Sequence, residues 1–168
     1  MRRWRELPGA ALAATALVTF IHLTAPTLFR GVDWLQLHLP ARHYLAEALR
    51  SGRLPLWNPH VALGRPYLAD IETAVFYPPN LIHLFLDPTV AYVVLTVAHA
   101  TLAFWGMLRL GRLLRFEPWV GWLCAGLFLS SQAVVARLQA GQSHYVQAIT
   151  YVPVIFLLGT RLADLVSG

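Results

Sequence analysis

Pro88 to Leu108 read PTVAYVVLTVAHATLAFWGML, a run of 21 residues without a formal charge. A helix that crosses the ~30 Å hydrocarbon core of a bilayer needs about 20 apolar residues. Two further runs meet this length without a charge, residues 8–28 and 118–136. A fourth run, residues 145–162, contains Arg161, whose side chain must reach the headgroups by snorkelling. The sequence therefore predicts an all-α integral membrane protein, a single membrane domain (1–168) with about four transmembrane helices.

The composition supports this class of protein. The chain is 57% apolar and only 12% charged, and its mean hydropathy is +0.55, whereas soluble domains carry about 25% charged residues. The pI near 10.0 indicates anionic lipid headgroups as neighbours. Nucleic acid is not an expected partner, because the sequence has no strip of interleaved basic and aromatic residues.

The positions of the arginines predict the orientation. Short cytoplasmic segments of membrane proteins are rich in Arg and Lys. Two short segments have this property, the amino-terminal tail and the turn between the second and third runs, with Arg2, Arg3, Arg5, Arg109, Arg112 and Arg115. We therefore expect both termini in the cytoplasm and residues 29–87 as a large outer loop. A cleaved signal peptide is the alternative for the first run, but the run exceeds the usual 7–15 residues and Pro26 follows its one small candidate site, Ala25.

The outer loop, residues 29–87, is predicted to be structured. It holds six of the eleven prolines of the chain, which fix φ repeatedly. Cys124 is the single cysteine, so no internal disulfide forms and the loop must be held by packing. One helix is predicted between Pro40 in its first turn and Gly52 at its end. Its apolar face has residues at i, i+3, i+4, i+7 and i+8, and polar residues take the opposite face: Ala41, Tyr44, Leu45, Ala48 and Leu49 against Arg42, His43, Glu47 and Arg50.

The most distinctive motif follows this helix. In order, the chain has Asp33, then GRLPLWNP from Gly52 to Pro59, then Gly64-x-Pro66, then FYPPN from Phe76 to Asn80. This order resembles the amino-terminal part of the YfhO-like bacterial membrane proteins. That family is related to the GT-C class of glycosyltransferases, which use polyprenyl-phosphate-linked sugars. The resemblance covers the first run, the loop and the start of the second run, and continues weakly into Gly141-x-x-His144.

The resemblance implies a catalytic role for Asp33, because GT-C enzymes place an acidic residue in the first external loop shortly after the first span. A carboxylate there can accept a proton from an acceptor hydroxyl, or can hold a divalent ion against a lipid phosphate. The alternative is an aspartate that caps a turn before a helix. Asp70 and Glu72 are two residues apart, so on a strand they would face one way and could share a metal ion, although two carboxylates do not close a site. Solvated loop acids are the alternative for this pair.

Candidate substrate-binding residues lie in the same loop. Arg53 and Arg65 can hold a phosphate through paired hydrogen bonds, or can bind ordinary anionic lipid. Trp57 and Asn58 are expected to shape the acceptor side, and Tyr77 to supply stacking surface for a sugar ring or an isoprenoid. The alternative for the aromatic residues is an interfacial belt without a ligand.

The histidines of the chain show no zinc-ligand spacing. His99 and His144 lie in or beside the apolar runs, where polar side chains face the bundle or a wet cavity, or make helix-to-helix hydrogen bonds.

The leading functional prediction is a bacterial inner-membrane glycosyltransferase, or a fragment of one. It would move a sugar from a polyprenyl-phosphate carrier to a cell-envelope acceptor on the outer face. The one candidate cofactor is a divalent metal ion. Membrane lipid and the lipid-linked sugar are the expected partners. Since GT-C enzymes have more spans, further carboxy-terminal spans or a partner membrane protein are also expected. The rival is a non-catalytic module that binds lipid or a partner protein through the loop. A transporter ranks third, because no broken pair of helices is predicted.

Overall fold

The computed structural model describes residues 9, 10, 12–14, 16 and 33–167. The predicted first span, residues 8–28, lies largely outside these residues, and the six described residues within it are helical.

Residues 33–87, called the cap segment here, contain one α-helix and several short elements. A π-helical turn (Trp34–His38) leads into α1 (Leu39–Arg50). Two short strands, β1 (Trp57–Asn58) and β2 (Arg65–Pro66), pair antiparallel, with Trp57 opposite Pro66. Two 3₁₀ turns follow, Ile71–Thr73 and Pro78–Leu84.

Five helices form the rest of the described chain: α2 (Pro88–Leu113), α3 (Pro118–Leu129), α4 (Gln132–Ala140), α5 (Ser143–Thr150) and α6 (Val152–Ser167). The predicted all-α class is confirmed, since the two-residue strands form the one sheet among the described residues.

Three helical stretches are long and apolar enough to cross a membrane. They are Pro88–Leu113, Pro118–Ala140 and Ser143–Ser167, and each contains one of the predicted runs. Each stretch is longer than the run it contains, and the first two extend past their runs through Arg109, Arg112 and Arg137. The length and composition of these stretches are those of a helical membrane protein.

Two of these stretches are interrupted, which corrects the expectation that the chain has no broken pair of helices. Between α3 and α4, Ser131 is extended with ψ 149°, and the Ser130 hydroxyl donates back to the Gly126 carbonyl at 2.7 Å. Such back-bonding competes with the helical ladder. Between α5 and α6 the break falls at Tyr151, two residues before Pro153, which has no N–H to donate.

Helix α2 is the centre of the bundle. In α2, 50% of the most apolar segment is buried inside the protein, whereas the corresponding share is 22% in α3–α4 and 17% in α5–α6. Asp87 caps α2, because its Oδ1 accepts the Thr89 N–H at 2.8 Å, and this bond lowers the pKa of the exposed carboxyl. Helices α2 and α3 approach closely where glycines face each other: a Cβ added to Gly111 would lie 3.5 Å from Gly121 Cα. Small residues at such contacts are typical of membrane helices.

The predicted helix in the loop is confirmed as α1, with Pro40 in its first turn. It ends at Arg50, and Gly52, two residues beyond, has a φ of +67° that suits glycine. The N–H of Gly52 donates to Leu49 O and the N–H of Arg53 to Ala48 O, a Schellman motif.

The predicted polar face of α1 is wrong at one position, because Arg42 is buried with 3% of its surface exposed. Its guanidinium donates to the backbone carbonyls of Thr73 and, at 3.4 Å, Glu72. Arg50, two turns along α1, similarly donates to the carbonyls of His83, Leu84 and Leu86 at 3.1–3.2 Å. These two arginines hold the later cap segment against α1.

Candidate functional site

A cavity with a volume of about 510 Å³ lies between the cap segment and α5. Its wall is mostly apolar and aromatic, with three side chains that offer other polar groups. The lining residues are Ile71, Ala74, Tyr77, Tyr145, Ala148 and Tyr151, together with Glu72, His144 and Gln147. A mostly apolar concave site with a few polar groups is the usual form of a small-molecule or lipid site.

A chain of hydrogen bonds joins Tyr77 of this wall to the bundle. His99 Nδ1 lies 2.7 Å from the Leu95 carbonyl and must donate to it, so Nε2 of the neutral ring is an acceptor. The Tyr77 hydroxyl therefore donates to His99 Nε2, and Tyr151 donates to the Tyr77 oxygen at 2.6 Å. Burial and the bond to Tyr151 raise the pKa of Tyr77. The Tyr77 hydroxyl is thus neutral at neutral pH, and its hydrogen bonds join the cap segment to two spans.

A second, smaller cavity of about 60 Å³ lies beneath α1 and is far more polar. Arg42, His38, Asn58, Arg65, Asp70 and Glu72 are among the residues that line it. Burial and the nearby Arg42 lower the pKa of His38, so this ring is neutral at neutral pH. Burial also raises the pKa of Tyr67, in the same wall, to about 12. Its hydroxyl donates to the Ala41 carbonyl at 2.7 Å.

The two cavities are neighbours. Glu72 lines both of them, and its side chain is exposed. The ring of His38, in the small cavity, lies 5.0 Å from the ring of His144, in the large one, measured between centroids. Neither ring nitrogen of His144 has a hydrogen-bond partner in the part of the chain that the structure describes, although both are shielded from solvent. Glu72 and this pair of rings therefore form the partition between a polar and an apolar compartment.

Asp33, the predicted catalytic acid, lies at the start of the π-helical turn. Its Oδ2 accepts a hydrogen bond from Gln142 Nε2 at 2.9 Å. Gln142 Oε1 in turn accepts from Arg137 at 2.6 Å, which fixes the direction of the amide. Asp33 is not among the residues that line either cavity.

The predicted phosphate ligands are separated. Arg65 lines the small cavity and forms an ion pair with Asp70. Arg53 follows the end of α1, where its Nε donates to Ser51 Oγ at 3.1 Å, and it lines neither cavity.

Asp70 and Glu72 lie at a 3₁₀ turn and not on a strand, where both carboxylates would face one way. Asp70 Oδ1 accepts the Glu72 N–H at 2.9 Å, and Oδ2 faces Arg65. Both oxygens of Asp70 are thus engaged by protein donors. Within residues 9–167 as far as they are described, no three His, Cys, Asp or Glu side chains come together as metal ligands. The residues present do not fit the candidate divalent ion.

Trp57 and Asn58 hold the shape of the strand pair. Asn58 is buried, and its Oδ1 accepts the His60 N–H at 2.9 Å across Pro59. The indole of Trp57 covers Gly64: a Cβ there, where φ is +107°, would lie 2.6 Å from Trp57 Nε1. The backbone oxygen of Trp57 accepts a hydrogen bond from the Tyr44 hydroxyl at 2.5 Å. Asn58 also lines the small cavity, whereas Trp57 lines neither.

Sequence reasoning missed three residues that build this site: Arg42, Gln142 and Tyr151. Arg42 was placed on the polar face of α1 by the helical pattern. Gln142 lies inside the Gly141-x-x-His144 motif, which was the available signal. Gly141 has φ +80°, and an added Cβ would lie 2.3 Å from Trp34 Cβ, so the turn between α4 and α5 fits against the start of the cap segment.

The fold and the site together define the class: an α-helical membrane protein whose cap segment covers a mostly apolar cavity at one end of the bundle. No protein-family model, curated protein or solved structure matches the chain.

Proposed function

We propose that this chain binds a polyprenyl-phosphate-linked sugar at the outer face of a bacterial inner membrane, as part of a glycosyltransferase of the GT-C type. The cavity of about 510 Å³ carries this proposal. One of its walls belongs to a membrane-spanning stretch, Ser143–Ser167, so a lipid can enter it from the bilayer. The resemblance of the Trp57-Asn58-Pro59 region to YfhO-like proteins is the reason for proposing a polyprenyl-phosphate-linked sugar as the ligand.

The charge distribution supports the orientation in this proposal. Arg109, Arg112 and Arg115 lie at or beyond the end of α2 that is farther from the cap segment. Under the positive-inside rule this end is cytoplasmic. The cap segment and the cavity are then on the outer face, where polyprenyl-linked donors are used by GT-C enzymes. Residues 29–87 are the outer loop of a bundle with about four spans.

A blocking substitution tests the binding half of the proposal. Ala148 is exposed within the cavity wall, so Ala148→Trp fills the cavity, whereas Ala133→Trp places the same ring on an exposed position of α4 that lines neither cavity. With a photoreactive polyprenyl phosphate and the purified chain in detergent, we expect labelling of the unaltered chain and of Ala133→Trp. Ala148→Trp should lose at least about tenfold in labelling. Equal labelling of all three would remove the cavity as the lipid site.

The catalytic half rests on Asp33. Asp33→Asn removes the charge and keeps an oxygen that can accept from Gln142. Gln142→Ala is the control, because it removes the hydrogen bond to Asp33 and keeps the carboxylate. If Asp33 accepts the acceptor's proton, Asp33→Asn abolishes sugar transfer to the envelope acceptor while membrane insertion stays normal, and Gln142→Ala retains transfer.

A specific observation favours a second candidate, the non-catalytic lipid-binding module. The Asp33 carboxylate accepts from Gln142 and does not line the cavities, which suits an aspartate that holds two segments together. Under this candidate, Gln142→Ala and Asp33→Ala have the same structural effect, and sugar transfer is unchanged in Asp33→Asn. Lipid labelling of the cavity would persist in all three variants.

A further inference from the structure

Arg42 is a buried cation whose protein partners are backbone carbonyls. Of the five N–H donors of its guanidinium, two go to the carbonyls of Thr73 and Glu72. A buried charge is costly unless an opposite charge or sufficient hydrogen bonds compensate it. In the wall of the same small cavity, Arg65 and Asp70 already neutralise each other. The remaining acid there, Glu72, is exposed, so its carboxylate can turn to water.

The partition between the two cavities includes two imidazole rings near Arg42. His38 lines the small cavity, and His144, 5.0 Å away between ring centroids, lines the large one. Among the described residues neither nitrogen of His144 has a partner, although both are shielded from solvent, so the loss of their hydration is not compensated. A neutral imidazole offers one N–H donor, and Arg42 offers three beyond its carbonyl bonds. An anionic acceptor at the partition would satisfy these groups together.

The size and lining of each cavity suit different parts of a ligand. The small compartment, about 60 Å³ and lined by charged and polar side chains, has room for a small polar group such as a phosphate. The large, mostly apolar compartment of about 510 Å³ suits part of a hydrocarbon chain. The two compartments meet at Glu72, which lines both.

We infer that the two cavities are one site for a phosphorylated lipid, with the chain in the large compartment and the phosphate at the partition, held by Arg42, His38 and His144. This inference rests on the proposed function and assigns the phosphate to residues other than Arg53, which lies outside both cavities. Charge-assisted hydrogen bonds from arginine and imidazole are strong contacts for a phosphate oxygen.

The test compares two probes of the same chain length, polyprenyl phosphate and the uncharged polyprenol, bound to the purified chain in detergent. We expect the phosphate to bind at least about tenfold more tightly, the effect of about 1.4 kcal/mol. His144→Leu and Arg42→Lys should each reduce this preference several-fold and leave polyprenol binding unchanged. His144→Gln, which keeps an N–H donor, should retain most of the preference and decides the matter if His144→Leu does not fold.

Arg53→Gln is the matched control and should leave the preference intact. The inference is overturned if Arg53→Gln removes the preference while His144→Leu and His144→Gln keep it, or if both probes bind equally. Equal binding would still leave the proposed lipid function standing. Binding of neither probe would remove the proposed function and this inference together. If inorganic phosphate at equal concentration abolishes the tighter binding of polyprenyl phosphate over polyprenol, the partition binds a soluble phosphate. This result would also overturn the inference.

Discussion

Asp33 and Gln142 lie 109 residues apart in the chain and share a hydrogen bond of 2.9 Å, from the amide Nε2 of Gln142 to Oδ2 of Asp33. This bond joins the start of the cap segment to the turn between α4 and α5. Arg137 fixes the amide from the other side, and its guanidinium also lies 4.7 Å from the centroid of the Tyr145 ring, in the cavity wall. The cap segment and the cavity wall are thereby linked through a few polar contacts.

Loss of the Asp33–Gln142 bond should destabilise the protein. Gln142→Ala removes a half-buried hydrogen bond to a carboxylate, an interaction of about 1.5–3 kcal/mol. We expect the unfolding midpoint in detergent to fall in this variant. Gln132→Ala, at an exposed position in the first turn of α4, should leave the midpoint nearly unchanged. Equal midpoints for the two variants would show that the bond does not hold the cap segment.

The close approach of Gly141 to Trp34 should make any side chain at position 141 costly. Gly141→Ala has to tolerate both φ +80° and a Cβ that would meet Trp34 Cβ at 2.3 Å. Gly52→Ala meets a similar φ of +67° with nothing within 4 Å, so it reports the backbone strain alone, of about 1–2 kcal/mol. We expect thermal unfolding to show a larger loss in Gly141→Ala than in Gly52→Ala. Similar losses would mean that the turn is not fixed against Trp34.

Tyr77 should contribute more to stability than Tyr151. Tyr77→Phe removes the hydrogen bonds of the Tyr77 hydroxyl to His99 and Tyr151. His99 Nε2 is then left without its donor, which costs about 1–3 kcal/mol. Tyr151→Phe removes one bond and keeps the bond from Tyr77 to His99. Denaturant unfolding of the two variants measures the difference. A loss in Tyr151→Phe as large as that in Tyr77→Phe would contradict the direction of hydrogen bonding derived above.

His83 should make the cap segment sensitive to acid. It is 2% exposed, and burial with the nearby Arg42 and Arg50 lowers its pKa to about 4, from an ordinary 6.5. Between pH 6.5 and 4 the unfolded chain therefore binds more protons than the folded one, so stability is fully present above pH 6.5 and is lost as the pH falls toward 4. The loss is on the order of 1–3 kcal/mol.

The measurement for His83 is the unfolding midpoint between pH 7 and 5. His83→Gln should flatten the dependence, and some slope should remain because the pKa of His38 is also lowered. The exposed His60→Gln is the control and should follow the unaltered chain. If His83→Gln keeps the full slope, another group carries the acid sensitivity.

The local features of the fold were predictable from the sequence. The uncharged runs from Pro88 and Pro118 are helical, and α1 lies between the predicted Pro40 and Gly52 signals. These features depend on neighbouring residues, because helical periodicity, proline and glycine act within a few positions.

The features that were missed depend on distant backbone groups. Arg42 is buried because it reaches carbonyls about 30 residues later, and no side-chain pattern marks a carbonyl as its partner. Asp33 and Asp70 were selected as chemically active acids, but Gln142 and Arg65 engage their oxygens. The large cavity likewise arises where the cap segment meets α5, and the small one where α1 meets the later cap segment. The order of residues does not encode either contact locally.

The central claim is that the cap segment covers a lipid site on the outer side of the membrane. Its most direct test is the accessibility of single cysteines in intact cells, with Cys124 replaced by Ala. We predict that a membrane-impermeant thiol reagent labels His60→Cys, in the cap segment, without permeabilisation, and labels Arg115→Cys, at the opposite end of the bundle, only after it. Labelling of Arg115→Cys from outside, with His60→Cys protected until permeabilisation, would contradict the account.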